Sequence, residues 1–545
     1  MFNWKDFERT KQVLSHVGRE SYQDHRGQHH IFSRPVNLLD WASLFKEDMG
    51  YLTLIDVVGM DHGADSGAQR FEIIYHLLNM DSHQRASLHL LVDPEEISPS
   101  LRGLFTNADW MEREQIEALD LRFDYSPEAL LLPEGQGVYP LRKGTAPKPW
   151  PVTEATALPR LRYNPNKSET PYPEEAYEWK HFDLFSPVTR GAFEWLVCFD
   201  PNHAVDSQMK IGFHHHGFEK HLENKDYLQV LQLVDKINVG IAPNYSIAWA
   251  KNVEELYRIK LPERAQAVRI VMLELGRVAE HLTVLFEITH ASGLEEFKLL
   301  LNAREKIYEL FERYCGHRQG LGIARIGGVK EDLPNGWIVE LQEVATLLNK
   351  NLRIIHNSLL GQRKFRAALE GPALDPQAIL QMGVSGPAMR AAGLNFDLRK
   401  SQPFYFYQDV DFDIPVGIQG TSYDRYLIRY EEIFQSLRII TQVIDNLPLG
   451  EYVGELFDLS HPELLRAFHD KEQPAGWHYS ALESPGGECG FSVLLGRSVT
   501  PLRIKIKTPS FSLAQALPIF TCGLREDQLI TCLASLGLRQ WEMDR

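Results

Sequence analysis

Cysteine is scarce in this 545-residue sequence. The five cysteines are scattered, and no two of them have a C-x-x-C spacing: Cys198, Cys315, Cys489, Cys522 and Cys532. An odd and sparse set argues for a reducing compartment and against a disulfide framework, because such frameworks use paired cysteines. It also argues against an iron–sulfur cluster or a zinc site built from local cysteine pairs.

Long runs of one residue class are also missing. No apolar stretch approaches the roughly 20 residues of a membrane helix, and the polar start MFNWKDFERTKQ has no signal-peptide core. No long lysine and arginine run occurs, and the formal net charge is −16. A nucleic-acid partner is therefore disfavoured, since phosphate binding requires a basic face. We expect a cytoplasmic protein that reaches a membrane only through partners.

The common catalytic motifs are absent as well. The sequence has no Walker A motif, no G-x-G-x-x-G after a strand, no G-x-S-x-G and no H-E-x-x-H. The run His214–His216 is the most metal-like feature, but adjacent side chains point in different directions and rarely bind one ion together. Charged residues between 304 and 313 have the spacing of a solvated or interface helix face. Local chemistry alone therefore names no reaction.

The composition that remains is that of a globular protein. Hydrophobic residues make up 44% and charged residues 24% of the chain, and the length predicts about two or three domains. Residues 144–180 contain seven prolines and no periodic apolar pattern, which predicts an extended linker. We therefore predict one domain over residues 1–143 and a larger domain over residues 181–545.

Apolar periodicity predicts the main elements of both domains. Strands are predicted at residues 51–58, 71–78, 88–92, 193–199, 491–495 and 502–506. The Gly- and Asp-rich residues 60–68 are predicted to form the turn between the first two strands. Helices are predicted from Pro262 through Leu282, and at about residues 299–315, 338–359 and 423–447.

A set of short motifs follows in order along the chain. The first group is Trp110–Glu114, Arg122–Phe123, Leu131–Pro133 and Pro140–Lys143. The second group is Ile211–Lys220, Glu274–Arg277 with His281–Leu282, Arg304–Lys306, Gly327–Val329, Asp332–Pro334, Asp409–Gly417, Tyr423–Tyr426, Ser436–Arg438, Glu483–Glu488, Lys507–Phe511 and Met543–Arg545. The first group resembles the C component, and the second the D component, of the fused C/D subunits of respiratory complex I, the NADH–quinone oxidoreductase.

This resemblance covers about residues 40–143 and 185–545. It implies an α+β fold: a C-type α+β domain, then a helix-rich D-type domain related to hydrogenase large subunits, with flanking β structure. Fused subunits of this kind also occur in membrane-bound hydrogenases of the formate-hydrogenlyase type. Their large subunit holds nickel and iron with two C-x-x-C pairs, which this chain lacks, so hydrogen chemistry is excluded.

The resemblance also implies a quinone chamber, and the chain departs from the family there. Arg190, Val239 and Ala291 stand where the family keeps a histidine, a tyrosine and an aspartate, and Thr189 precedes Arg190. Valine and alanine have no titratable proton, and arginine stays charged, so no catalytic residue is assigned. Arg190 could bind an anionic or carbonyl group or be an ordinary salt-bridged surface residue. We expect a remodelled, degenerate quinone chamber.

Two further positions face the terminal iron–sulfur cluster in the family. His216 replaces a family arginine, whereas Arg325 matches a retained one. The chain itself has no evident cluster or metal ligands and is expected to bind no cofactor. The resemblance therefore implies that an iron–sulfur cluster belongs to a partner subunit.

Two functional hypotheses follow. In the first, the chain is a peripheral-arm subunit of a complex-I-like NADH–quinone oxidoreductase, on the cytoplasmic side of the inner membrane, with iron–sulfur and membrane subunits as partners. In the second, it is a non-catalytic structural subunit of a related ion-translocating membrane complex. A partner subunit without cluster cysteines would favour the second hypothesis.

Overall fold

The computed structural model describes residues 21–23, 28–63, 70–132, 139–144, 176–186, 191–241, 243–454, 461–469, 476–495 and 499–545. Two compact units divide the chain. The first comprises Met1–Pro159, Ile211–Phe213 and Gln377–Gly383, and the second comprises Arg160–Lys210, His214–Pro376 and Val384–Arg545. Each unit combines helices with strands, so the predicted α+β class is confirmed. The predicted domain limits stay predictions, because most of the 144–180 linker lies outside the described residues.

Up to residue 159, the first unit is built from seven described strands and two described α-helices. The strands are β1 Ser21–Gln23, β2 His29–Ser33, β3 Thr53–Asp61, β4 Phe71–Leu78, β5 Arg85–Val92, β6 Ile97–Ser98 and β7 Arg122–Phe123. The helices are α1 Leu38–Ser43 and α2 Ala108–Leu119, with a 3₁₀ turn at Pro35–Asn37 and a π turn at Leu44–Asp48. Strands β1 to β5 form a described sheet of order β1-β2-β5-β4-β3.

The sheet is antiparallel except between β2 and β5, which run parallel. The predicted strand over residues 71–78 is confirmed as β4, which is buried along its whole length. Residues 60 and 61, predicted to lie in a turn, instead continue β3, so the prediction is wrong there. The physical reason is an ion pair: Arg70 Nη2 lies 2.7 Å from Asp61 Oδ2 and closes the end of the strand pair.

Helix α2 contains the first motif of the C-type resemblance and packs on β3. Gln115 Oε1 accepts the Gly59 N–H at 2.9 Å, and a Cβ on Gly59 would lie 2.5 Å from Leu119. Glu112 is buried and accepts the Leu101 N–H at 2.9 Å. Burial raises the pKa of Glu112 to about 7. The motif residue Glu112 therefore ties a loop to the helix.

The second unit is richer in helices. Its described strands are β8 Glu178–Ser186, β9 Gly191–Phe199, β10 Ala204–Lys210, β11 Ala324–Arg325, β12 Gly328–Val329, β13 Trp477–Ser484, β14 Gly487–Leu495 and β15 Pro501–Lys507. Its helices up to residue 391 are α3 Phe218–Leu222, α4 Tyr227–Val234, α5 Asn244–Leu256, α6 Glu263–Ala291, α7 Phe297–Cys315, α8 Trp337–Gly361, α9 Arg363–Leu369, α10 Pro376–Gln381 (which ends in the first unit) and α11 Pro387–Ala391.

The remaining helices follow after residue 397. They are α12 Leu398–Ser401, α13 Ser422–Asp445, α14 His461–His469, α15 Pro509–Gln515, α16 Leu517–Thr521, α17 Glu526–Leu536 and α18 Gln540–Met543, with 3₁₀ turns at Val239–Ile241 and Tyr407–Asp409. The described sheets of this unit are β10-β9-β8, β13-β14-β15 and the β11-β12 pair. Strand β8 begins at Glu178, so the last residues of the predicted linker belong to a strand.

Helix α6 is the centre of the second unit. Pro262 precedes it in an extended conformation, and 29 residues follow in one helix. Buried residues occur on every face from Ala265 to Thr289, which places the helix inside the core rather than on its surface. It packs against α7, α13 and α17. The four helices predicted from apolar spacing are all observed, as α6, α7, α8 and α13.

Two properties bear on the environment of the chain. Within the described ranges, no helix has both the length and the apolar content for a bilayer crossing. All five cysteines carry free thiols, and four of them are buried, with Cys522 the exposed one.

Two glycine-containing segments meet at the turn between β13 and β14. Gly386 has φ +70°, and a Cβ on it would lie 2.5 Å from the Gly486 carbonyl oxygen and from Gly487 Cα. Glu488 N–H donates to Ser385 Oγ at 2.9 Å across the same contact. The glycines of the Glu483–Glu488 motif therefore allow this close backbone approach.

Replacement of Gly386 tests this close packing. Gly386→Ala adds both left-handed strain and a steric clash, and should lower the free energy of unfolding by about 2–5 kcal/mol. Gly316→Ala is the matched control, because Gly316 has φ +78° with nothing within 4 Å of its Cβ position, and should cost about 1 kcal/mol. Urea unfolding of the full chain measures the free energy of unfolding of both variants. Equal losses of this free energy would contradict the close backbone approach at Gly386.

Candidate functional site

A buried network of charged residues lies around α6. Glu274 accepts hydrogen bonds from Arg277 Nε at 3.1 Å and from Arg399 Nη1 at 3.2 Å. The Tyr407 hydroxyl and Ser436 Oγ each donate to Glu274 at 2.6 Å. One carboxylate thus joins side chains from α6, α12, α13 and a 3₁₀ turn.

The network continues about two turns further along α6 through a second carboxylate. Arg390 Nε donates to Glu432 Oε1 at 2.9 Å, and His281 Nε2 contacts Glu432 Oε2 at 2.7 Å. Arg390 Nη1 also donates to Glu483 Oε1 at 2.8 Å. Burial, against the pull of Glu432, lowers the pKa of His281 to about 4, so the neutral ring donates through Nε2.

Burial and neighbouring charges shift the pKa values of the carboxyl groups in this network. Burial opposes ionisation of Glu274, but Arg277 and Arg399 outweigh it and lower the pKa of Glu274 to about 2. Burial and then the charge of Asp397 raise the pKa of Glu483. The network contains one more carboxyl group than arginines, which agrees with the raised pKa of Glu483.

These contacts explain the motifs of the D-type resemblance. Glu274, Arg277, His281, Ser436 and Glu483 all belong to motif segments, and all are buried in the network. Their hydrogen bonds are made within the chain. The motif residues therefore position the helices of the second unit.

Val239 begins the 3₁₀ turn beside another buried carboxyl group. The preceding residue, Asn238, donates through Nδ2 to Glu542 Oε1 at 2.9 Å, and Tyr245 donates to the same oxygen at 3.0 Å. Ser510 donates to the second oxygen of Glu542, and burial raises the pKa of this carboxyl group. Three side-chain donors thus engage Glu542. Val239 itself, half-buried, adds an apolar surface.

Of the other predicted chamber positions, the structure describes some and not others. Thr189 and Arg190 lie outside the described residues. Gly191, which begins β9, lies against α18: a Cβ on it would be 2.3 Å from Gln540 Cβ and 3.3 Å from His214 Nε2. Ala291 is the last residue of α6 and is half-buried. The 3₁₀ turn of Val239 packs against the same helix.

The histidine run is tied to the C-terminus. The His214 N–H donates to Asp544 Oδ2 at 2.8 Å, and His215 Nδ1 lies 2.9 Å from the Asp544 carbonyl oxygen. His216 is exposed, with its ring edge-on to Phe218 at 6.3 Å between centroids. In the part of the chain that is described, no group of three or more His, Cys, Asp or Glu residues forms a metal-type cluster.

Arg325 lies in β11 and lines a cleft together with Asp235, four residues before Val239. The structure therefore brings Arg325 near the segment that leads to Val239. Among the described residues, no hydrogen bond or ion pair joins His216 to Arg325. The roles assigned to these positions from the resemblance stay predictions.

The sequence alone did not predict the contacts of Glu542 with Asn238 and Tyr245, because Glu542 lies about 300 residues from each of them in the chain.

Comparison with known proteins covers both units. Residues 293–545 match the family described as respiratory-chain NADH dehydrogenase, 49 Kd subunit, and residues 32–149 match the 30 Kd subunit. A protein of Bdellovibrio bacteriovorus, named as the C/D subunit of NADH-quinone oxidoreductase, is 32% identical over 526 residues, covering 92% of each chain. Proteins of the same name from Nitrosospira multiformis and Acidiphilium cryptum are 29% and 30% identical, over 92% and 91% of this chain and 88% of each relative.

The fold and the two matches define a fused pair of respiratory NADH dehydrogenase subunits, with the 30 Kd type first and the 49 Kd type second. The chain belongs to the family of fused C/D subunits of NADH-quinone oxidoreductase, which is complex I. The resemblance drawn from the motif segments is thereby confirmed.

The network around Glu274 can be tested by removal of one charge. Glu274→Gln leaves Arg277 and Arg399 without their shared carboxylate, and should cost about 3–5 kcal/mol of unfolding free energy. Glu309→Gln, which breaks an exposed pair with Lys306, should cost less than about 1 kcal/mol. Chemical unfolding at pH 7 measures both, and equal costs would contradict the role of the network.

The contribution of Glu274 to the free energy of unfolding should depend on pH. Because the pKa of Glu274 is lowered to about 2, its contribution is present above the unfolded carboxyl pKa and is lost as the pH falls toward 2. The difference between wild type and Glu274→Gln should be constant from about pH 5 to 8 and should shrink below about pH 4.5. Unfolding series at several pH values measure it, and a difference that grows on acidification would rule this assignment out.

Proposed function

We propose that this chain is a peripheral-arm subunit of a complex-I-like membrane NADH–quinone oxidoreductase, where it shapes a remodelled quinone-type chamber. The observation that carries the proposal is the combination of a family match across both units with an intact buried network. Glu274, Arg277 and Glu483 keep the second unit in the shape that its motifs specify. A chain that keeps these costly buried charges retains a scaffold on which other subunits can dock.

The chemistry of the chamber supports remodelling. Val239 and Ala291 offer no proton to a quinone, and Glu542 beside Val239 is engaged by three donors from its own chain. Arg190 would supply a fixed positive charge, which suits an anionic or carbonyl group better than proton transfer. The chain itself then holds and orients a ligand, while the protons come from another source.

The electron donor in this proposal is an iron–sulfur subunit bound to this chain. His216 and Arg325 are the residues proposed to face its cluster, and membrane subunits provide the contact with the bilayer on the cytoplasmic side. The cluster would supply electron transfer when present. The residues of this chain would supply only charge and shape around it.

A second function is favoured by the same apolar positions. Val239 and Ala291 equally suit a structural subunit of a complex-I-related ion-translocating assembly that has no quinone chemistry. In that assembly the second unit would join a peripheral module to antiporter-like membrane subunits. The two functions differ in one partner, the subunit that holds a cluster.

Purification of the tagged full chain from its native membranes in mild detergent tests the choice. We expect mass spectrometry to identify an iron–sulfur subunit and electron paramagnetic resonance to detect a reducible cluster, with the untagged strain as control. Antiporter-like partners without any cluster signal would overturn the redox function and support the structural one.

A further inference from the structure

A basic cleft of about 320 Å³ lies in the second unit, apart from the buried network. Its lining includes Lys236, Arg325, Lys330 and His317, and Asp235 is its acidic member. The volume lies at the lower end of the range for small-molecule sites, about 300–1,000 Å³. Lys236 and His317 are exposed, so the cleft opens to solvent on their side.

Arg325 is held rigidly in the wall of this cleft. Its Nη1 donates to the carbonyl oxygens of Gly322 at 3.1 Å and Ala324 at 2.8 Å. No residue in the described part of the chain accepts a hydrogen bond from its Nε or Nη2. Burial, against the charges of Asp235 and Glu331, lowers the pKa of Arg325. A half-buried guanidinium with unused donors favours an anionic partner.

The other charges of the lining leave a positive excess. Lys236 forms no ion pair with any residue that the structure describes, while Lys330 Nζ lies 3.3 Å from the exposed Glu331 carboxylate. Asp235 is buried, and its Oδ2 is engaged by the Gly322 N–H at 3.0 Å. The acidic group therefore braces the loop rather than neutralising Lys236.

The loop beside Arg325 leaves room for a ligand. Gly320 and Gly322 have φ of +60° and +57°, and a Cβ on either residue would meet nothing within 4 Å. These glycines therefore border open space instead of packing against a neighbour. A small group can enter without displacing a side chain.

We propose that this cleft binds a small oxyanion, with a phosphate or carboxylate group received by the unused N–H groups of Arg325 and neutralised by Lys236. The site goes beyond the proposed function: it concerns the chain by itself, in which no cluster-bearing partner lies against Arg325. The two proposals can therefore fail separately. A small metabolite with one such group fits the volume.

Isothermal titration of the purified full chain in phosphate-free buffer tests this site, with inorganic phosphate in one arm and succinate in the other. We expect saturable binding of at least one anion, weakened at high salt because the cleft is open to solvent. The preferred anion distinguishes a phosphate-type ligand from a carboxylate. Lys236→Gln and Arg325→Gln should each weaken that binding about tenfold, as expected for the loss of a charge-assisted contact.

Lys298→Gln is the matched control, because Lys298 is an exposed lysine paired with Glu295 on another surface, and it should bind as the wild type does. Arg325→Gln also removes the contacts to Gly322 and Ala324, so Lys236→Gln decides the result if that variant misfolds. Absence of saturable binding by either anion, or wild-type affinity in Lys236→Gln, would overturn the proposal.

Discussion

The contact between Glu274 and its two arginines is the constraint on which the second unit depends. Three ionised side chains are enclosed in a protein interior, where each alone would be strongly unfavourable. Their mutual geometry must therefore be kept, and it fixes α6, α12 and α13 relative to one another. Glu274, Arg277 and Ser436, which belong to the motif segments, hold this arrangement through hydrogen bonds within the chain.

Much of the fold could be predicted from local patterns in the sequence, and the rest could not. The helix after Pro262 and the strand Phe71–Leu78 were predictable because apolar spacing or strand propensity marks them within a few residues. Strand β2 was not, since its parallel partner β5 lies more than 50 residues away and its sequence, HHIFS, is half polar. The partnership of Glu274 with Arg399 spans 125 residues, and no local pattern encodes it.

The candidate site, like the fold, could be predicted from the sequence only in part. The resemblance identified Val239 and Ala291 as positions without titratable groups, a conclusion that requires only residue identity. The surroundings of Val239 required the structure, because Asn238 and Tyr245 meet Glu542 at the far end of the chain. The cleft at Arg325 likewise depends on the fold, which brings Asp235 and Lys236 to a loop more than 80 residues later. In the proposed function, scaffold and chemistry have separated: the scaffold is retained, and the chemistry of the chamber has changed.

Quinone reduction by the assembled complex tests this separation most directly. The account predicts that NADH-dependent quinone reduction is low with the natural chain and rises when Arg190→His and Val239→Tyr are combined. Arg190→His with Val239→Phe, which adds the ring without the hydroxyl, should stay low because no proton donor is gained at position 239. Full activity with the natural chain, unchanged by either double substitution, would contradict the account.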